Sequence, residues 1–257
     1  MSVGPELIRA GTAMPPRRPC SSRGRSPCGS QAVLQHPPCD IHVVTVENRN
    51  LYEEELEASF RLRHQIYVSE RRWEIFRRPD AREIDQYDNA KAINLLAIEQ
   101  RTRRVVGGAR LVPTVHEPPL GEFKLAGRYE LPRSPYVFHV SRIIAAADRR
   151  ENSSLNIVIA KSLCAIQEYC LEEDIEQLTL LVRMSLLPVL MELGWNPQPI
   201  DLPDMICGAS CLPGTVDISE VALRRTREAR GITRSVLVRR GITLPAISGV
   251  RVPERLC

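Results

Sequence analysis

Arg63, Tyr67 and Trp73, followed by Asp85 and Asp88, fall in one stretch, RLRHQIYVSERRWEIFRRPDAREIDQYDN, from Arg61 to Asn89. A basic residue, two aromatic rings and two carboxylates at this spacing suit a flat cationic ligand: the rings stack on it and the carboxylates hold its charge. Further on, Arg110 in GGARLVPT and Arg142 in FHVSRII add guanidiniums, which suit bidentate carboxylate contacts. Each residue also has a plainer reading. Two acids three apart often form a solvated loop. Arg63 and Arg110 either neutralise those acids or grip a substrate carboxylate, and Tyr67 and Trp73 either wall a site or fill a core. No Gly-rich phosphate loop or nucleophile elbow points to a kinase or hydrolase.

In order and spacing these residues resemble the LuxI-type acyl-homoserine-lactone synthases, the autoinducer synthases of quorum-sensing bacteria. Arg63, Tyr67 and Trp73 match the family's first block, with Tyr67 where Phe is more usual. Asp85, Tyr87 and Asp88 match its Asp-x-x-Asp with an aromatic inside. Arg110 matches the arginine of the next strand, and Phe123 a phenylalanine in the loop after it. The family's Glu-x-x-Arg reads His139-Val140-Ser141-Arg142 here, so Arg142 is kept and His139 stands at the Glu position. LTLLVRMSLLPVLMELGW matches a strand–helix unit ending in Gly-Trp, at Gly194 and Trp195. The resemblance runs over residues 41–215.

The resemblance implies an α+β (α/β/α) architecture, a GNAT-like acyltransferase fold with a central, mostly antiparallel sheet flanked by helices. It implies a cytoplasmic enzyme that transfers an acyl group from acyl-carrier protein or acyl-CoA to the amine of S-adenosylmethionine. Lactone closure then releases methylthioadenosine. S-adenosylmethionine is a substrate, and no cofactor or metal is implied. His139, Ser141 and Arg142 fall at the catalytic positions. Arg63, Tyr67, Trp73, Asp85, Asp88, Arg110, Phe123 and Leu180 fall at substrate-binding ones. Leu180 stands where the family often has Thr when the acyl group carries a 3-oxo oxygen, so an unsubstituted, branched or aryl acyl group is expected. The pantetheine arm would enter between the strands around His139 and Leu178.

The reaction needs a base near the α-amine and donors for the developing oxyanion. Neutral imidazole is a competent base near pH 7, so His139 is one candidate, and Glu122 or Glu130 in the preceding loop is another. Arg142 stays protonated and organises charge rather than moving protons. Two other readings remain: an N-acyltransferase without lactone closure, and a non-catalytic homologue that binds S-adenosylmethionine or acyl groups. A nucleic-acid binder is disfavoured, because the Arg-rich ends lack interleaved aromatics and a recognised module.

Composition frames this. At 257 residues the chain suits one domain with extensions. No run of eighteen apolar residues exists, so no membrane span is expected. The eight cysteines are scattered, which fits reduced thiols, and Cys207 and Cys211 have no second pair to complete a zinc set. Residues 1–40 hold five arginines against Glu6 and Asp40, and residues 218–257 hold nine against Glu220, Glu228 and Glu254. The net charge of +4 therefore leaves an acidic middle, suited to a cationic substrate. Arg224, Arg225 and Arg227 form a basic patch suited to an acidic carrier protein. Residues 1–40 are expected to be a disordered Pro/Arg-rich extension or a mis-assigned start, 41–215 the synthase domain, and 216–257 a basic C-terminal extension.

The elements that must position the site read as follows. IHVVTV is a first strand, and Leu51–Val68 a helix or helix pair. INLLAIEQ and VVGGARLVPT form an antiparallel pair, with Gly107 and Gly108 marking close backbone approach or a bulge. YVFHVSRIIA is a strand whose alternation puts Phe138, Val140 and Arg142 on one face and His139 and Ser141 on the other, unless a bulge intervenes. Ser153 or Ser154 caps a helix over Leu155–Leu171, with a stripe of Ile159, Leu163, Ile166 and Cys170. QLTLLV is a core strand. Leu186–Leu193 is a short helix with Pro188 in its first turn and Gly194 at its end. ITRSVLVRR is a final strand or an appended helix.

Overall fold

A computed structural model describes residues 37–115, 132–150 and 155–241. The chain runs β1 (Cys39–Val44), α1 (Glu53–His64), β2 (Ile93–Glu99), β3 (Val105–Pro113), β4 (Val137–Ala145), α2 (Ile157–Glu172) and β5 (Gln177–Arg183). It continues through α3 (Leu187–Glu192), β6 (Gln198–Pro199), β7 (Asp204–Ile206), β8 (Ala209–Asp217), α4 (Glu220–Arg230) and β9 (Leu237–Val238). The strands form one sheet in the order β6-β8-β5-β4-β3-β2-β1-β9, with β7 also on β8. Pairing is antiparallel except for β4–β5 and β1–β9.

The layers follow from side-chain alternation. Every residue of β2 is buried, which a strand covered on both faces requires. Ile93, Leu95 and Ala97 join the core under α2, while Leu96 and Ile98 pack with Tyr52, Leu56 and Phe60 on the α1 side. The result is the expected α/β/α arrangement: α1 lies on one face, and α2 and α4 on the other. α2 is buried far beyond the expected single stripe, because α4 covers its outer flank. Its N-cap is Asn156, whose side chain accepts from the Ile159 amide at 3.0 Å, rather than Ser153 or Ser154, which lie outside the described residues. α3 carries Pro188 in its first turn as expected, and Gly194 follows at φ +77°, a backbone conformation glycine adopts at least cost. No described helix is long and apolar enough to cross a membrane.

The expected boundary at residue 215 is corrected. It falls inside β8, and the chain beyond it is built into the same sheet and helix layer. Ser219 caps α4 by accepting from Val221 and Ala222, and Gly231 ends the helix at φ +62°. Glu168 of α2, buried, binds Arg227 of α4 at 2.7 Å and the Ser235 hydroxyl and Val236 amide at 2.6 and 3.0 Å. ITRSVLVRR contributes β9, which runs parallel beside β1. The early boundary at residue 40 also falls within a strand, β1. Residues 1–36, and the expectation placed on them, lie outside the described part of the chain.

The β3–β4 pair carries the feature that shapes the site. Gly108 pairs with Ile144 and Arg110 with Ser141, so Arg142 and Ile143 together oppose Ala109 alone. This is a β-bulge, and Arg142 sits in it at φ +57°. Gly107 and Gly108 serve close approach: a Cβ on either would collide with the backbone oxygen of Ile144 or Leu95.

Candidate active site

Arg110 and Ser141 are cross-strand partners, and His139 lies two residues from Ser141 on the same face of β4. Plain alternation would send Arg142 to the other side. The bulge instead brings it to Glu83 and Asp85, the acids that also meet Arg63 and Arg110. Arg63 reaches the same place from the end of α1.

Three guanidiniums and three carboxylates meet there. Arg63 grips Asp88 in a fork, Nη1 to Oδ1 at 2.7 Å and Nη2 to Oδ2 at 2.8 Å, and its Nε donates to Glu83. Arg110 grips Asp85 in the same way at 2.6 and 2.8 Å and also contacts Asp88 at 2.8 Å. Arg142 binds Glu83 at 2.7 and 3.1 Å and Asp85 at 2.8 Å. None of the six side chains is more than 9% exposed. The three-residue spacing of Asp85 and Asp88 makes a turn in which the Asp88 carboxylate accepts the Asp85 amide at 2.9 Å, aiming both acids inward. Burial pushes the Asp88 carboxyl up, but the hydrogen bonds and charge of Arg63, with Arg110 beyond, hold it well below the usual range. Glu83 is held low against burial by Arg142 and Arg63.

An aromatic wall adjoins this cluster. α1 runs on into a wider π-helical turn over Gln65–Glu70, which carries Tyr67. The Trp73 amide donates to the Tyr67 carbonyl at 2.9 Å, and the two rings stack with centroids 5.3 Å apart at 28°. Phe76 meets Tyr67 edge-on at 6.0 Å. The Arg142 guanidinium lies 4.9 Å from the Phe76 centroid and 5.5 Å from that of Tyr67. Arg71 lies 5.1 Å over Tyr67 and 5.6 Å over Trp73, exposed and without a carboxylate partner among the described residues.

Beside the wall, β4 and β5 part. Their parallel ladder runs from Val137–Gln177 to Val140–Leu180 and stops, although both strands continue. A cavity of about 500 Å³ opens in this splay, where the pantetheine arm was expected. Tyr67, Trp73, His139 and Arg142 line it, together with the apolar Leu180, Leu190, Ile159 and Leu163. Among the described residues no carboxylate lines it.

His139 and Thr179 are register partners across the last rungs of that ladder, and Nδ1 of His139 lies 2.9 Å from the Thr179 hydroxyl. Both side chains are buried. Burial, then the positive charges of Arg110 and Arg142, push the imidazole down to about 3.

Two expectations are therefore corrected. Asp85 and Asp88 do not offer free charge to a cationic ligand, because arginines take their oxygens. His139 is not a base poised near pH 7, since a buried imidazole between two guanidiniums is neutral through that range and binds a proton weakly. Arg63 and Arg110 take the acid-neutralising role rather than facing a ligand. Tyr67, Trp73, His139, Ser141, Arg142 and Leu180 are brought together around one cavity. Ser141 accepts from Nε of Arg110 at 3.3 Å. Phe123, Glu122 and Glu130 lie outside the described residues. Glu83, Arg71, Phe76 and Thr179 were not singled out in sequence. Glu83 alternates with Asp85 in AREIDQ, and that alternation was the available signal for it.

Residues 47–225 match the family model described as autoinducer synthase. The chain is 38% identical over 210 residues to the isovaleryl-homoserine lactone synthase of Bradyrhizobium diazoefficiens, covering 81% of this chain and 93% of that protein. Its fold is similar to that of BjaI, a CoA-dependent acyl-homoserine lactone synthase solved with SAM and isopentyl-CoA (TM-score 0.73, 37% identity, 80% of this chain and 95% of that one). It is also similar to MesI, another CoA-dependent acyl-homoserine lactone synthase (TM-score 0.67, 31% identity, 77% and 98% covered).

Proposed function

The chain belongs to the autoinducer synthase family, and we propose that it joins S-adenosylmethionine to the acyl group of an acyl-CoA. It is an acyltransferase that makes an acyl-homoserine lactone. In the proposed reaction the α-amine of S-adenosylmethionine attacks the thioester carbonyl and expels the CoA thiol. The carboxylate of the acylated product then closes on its own γ-carbon and expels methylthioadenosine. S-adenosylmethionine is consumed as a substrate, and the reaction calls for no cofactor.

The observation that carries this reading is the cavity in the splay of β4 and β5, lined by Tyr67 and Trp73, by the guanidinium-bearing Arg71 and Arg142, and by apolar side chains that include Leu180 and Leu190. The apolar side chains receive the acyl chain. Leu180 offers it no hydrogen bond, which favours an acyl group without a 3-oxo oxygen, branched chains included. The adenosine and sulfonium lie against Trp73 and Tyr67, and Arg71, stacked on both rings with no acid partner among the described residues, takes the substrate carboxylate. The cluster of Arg63, Arg110, Arg142, Glu83, Asp85 and Asp88 does not touch the acyl group. It fixes the wall and the bulge and sets a positive potential at His139. With His139 neutral, Glu122 or Glu130 is the carboxylate proposed to receive the amine proton.

The test is to mix the purified protein with S-adenosylmethionine and a panel of acyl-CoA and acyl-carrier-protein donors and to follow products by mass spectrometry. Acyl-homoserine lactone together with methylthioadenosine is the expected result. An N-acyl product without methylthioadenosine would overturn lactone closure, and no product from any donor would overturn the reading.

A further inference from the structure

Thr179 is a buried hydroxyl whose one hydrogen-bond contact among the described residues is Nδ1 of His139 at 2.9 Å. A buried O–H without an acceptor is costly. Among the described residues no carbonyl accepts the Thr179 proton, in contrast to Thr226 and Ser162, whose hydroxyls bond back to the carbonyls of Ala222 and Val158. Among the described residues that leaves Nδ1 as the acceptor, a role that requires it to be unprotonated. A neutral ring with Nδ1 unprotonated carries its hydrogen on Nε2. Burial and the positive charges of Arg110 and Arg142 oppose any second proton. Nε2 has no partner among the described residues, yet it is not sealed: the described side-chain atoms both buried and unpartnered belong to Arg149, Gln167, Trp195 and Arg227. His139 lines the cavity, and we take Nε2 to open there.

We propose that Thr179 is a positioning residue: its hydroxyl donates to Nδ1 of His139, fixes the ring proton on Nε2, and makes that N–H a neutral hydrogen-bond donor to the thioester carbonyl oxygen of the acyl donor. The inference rests on the acyl-transfer reading for the identity of the acceptor, but not for the tautomer. No proton changes hands. Negative charge develops on the carbonyl oxygen as the amine attacks, and a preorganised donor in a dry site stabilises it. This places His139 on the electrophilic side of the reaction, where the sequence had suggested a base.

The tautomer is read directly from a long-range proton–nitrogen NMR spectrum of the full-length protein with labelled histidine, assigned with His139→Gln. The expected result is a ring protonated on Nε2 alone, unchanged between about pH 5 and pH 8. A proton on Nδ1, or a ring that becomes cationic in that range, would overturn the proposal whatever the enzyme's activity. Steady-state kinetics test the role. Thr179→Val keeps the shape and removes the hydroxyl; it is expected to lower kcat about tenfold or more while leaving KM for S-adenosylmethionine unchanged. Thr179→Ser should recover most of the loss. Equal kcat in Thr179→Val and the parent protein would overturn the role. Absence of turnover in the parent with every donor would instead count against the acyltransferase reading, and the spectrum would still decide the tautomer.

Discussion

Arg142 and Glu83, 59 residues apart in sequence, meet through two hydrogen bonds, Nη2 to Oε1 at 2.7 Å and Nε to Oε2 at 3.1 Å. Glu83 also accepts from Arg63, so one buried carboxylate ties the end of α1 to the bulge of β4. Removing it leaves two guanidiniums short of a counter-charge in a site with little solvent. Glu83→Ala is expected to cost about 3–5 kcal/mol of stability. Urea unfolding of parent and variant checks this, and a loss below about 1 kcal/mol would show that the cluster tolerates imbalance.

Two carboxylates of the cluster, with Glu99 outside it, set a response to acid. Glu83, Asp88 and Glu99 are all held below the ordinary carboxylate range in the folded protein, Glu99 down to about 2 against burial by hydrogen bonds from Arg104, Thr102 and Arg149. A carboxyl depressed on folding stabilises the native state above its unfolded pKa and loses that contribution as pH falls through the folded value. Stability should therefore hold from neutral pH to about pH 5 and drop steeply below about pH 4. Urea midpoints across that range check it; a flat profile down to about pH 3 would contradict the assignment.

Leu180 lines the cavity. Leu180→Thr places a hydroxyl there and should raise the share of 3-oxo-acyl product in a competition between 3-oxo and unsubstituted donors. Leu180→Ala should admit a longer acyl chain and cost about 2–5 kcal/mol of stability. Product profiles by mass spectrometry decide; an unchanged acyl preference in both variants would remove Leu180 from the acyl pocket.

Arg71 is exposed, stacked on Tyr67 and Trp73, and without a carboxylate partner among the described residues. Arg71→Ala should raise KM for S-adenosylmethionine about tenfold or more and leave KM for the acyl donor unchanged. Arg71→Lys should recover only part, since an ammonium lacks the fork and the planar stacking. An equal rise in both KM values would point to a general disturbance of the wall.

Arg224 and Arg225 are exposed on α4, whereas Arg227 of the same patch is paired with Glu168. Reversing the charge of Arg224 and Arg225 together should raise KM for an acyl-carrier-protein donor and leave KM for the matching acyl-CoA alone. Equal effects on both donors would count against carrier docking there.

Much of the fold was legible because local chemistry decides it. β2 and β4 are runs of β-branched and apolar residues, and α3 carries its proline and glycine at the two ends where each is tolerated. β8 was not legible: Pro213 and Gly214 sit mid-strand, where both normally argue against one. Gly214 is needed there because a Cβ would come within 2.8 Å of the Gln198 carbonyl oxygen. α4 was passed over although Ser219 and Gly231 mark its ends, because its arginines read as a solvated tail.

The sequence by itself determined which groups the site contains and the order in which the chain delivers them, because residue type and spacing are local properties that set turns, caps and strand faces. What those groups do was decided by tertiary structure. Asp85 and Asp88 became internal counter-ions only when α1, β3 and β4 brought three arginines against them. His139 lost its basicity only when burial and two guanidiniums surrounded it. Charge in a protein interior is governed by solvent access and by neighbours distant in sequence, and neither exists until the chain has folded.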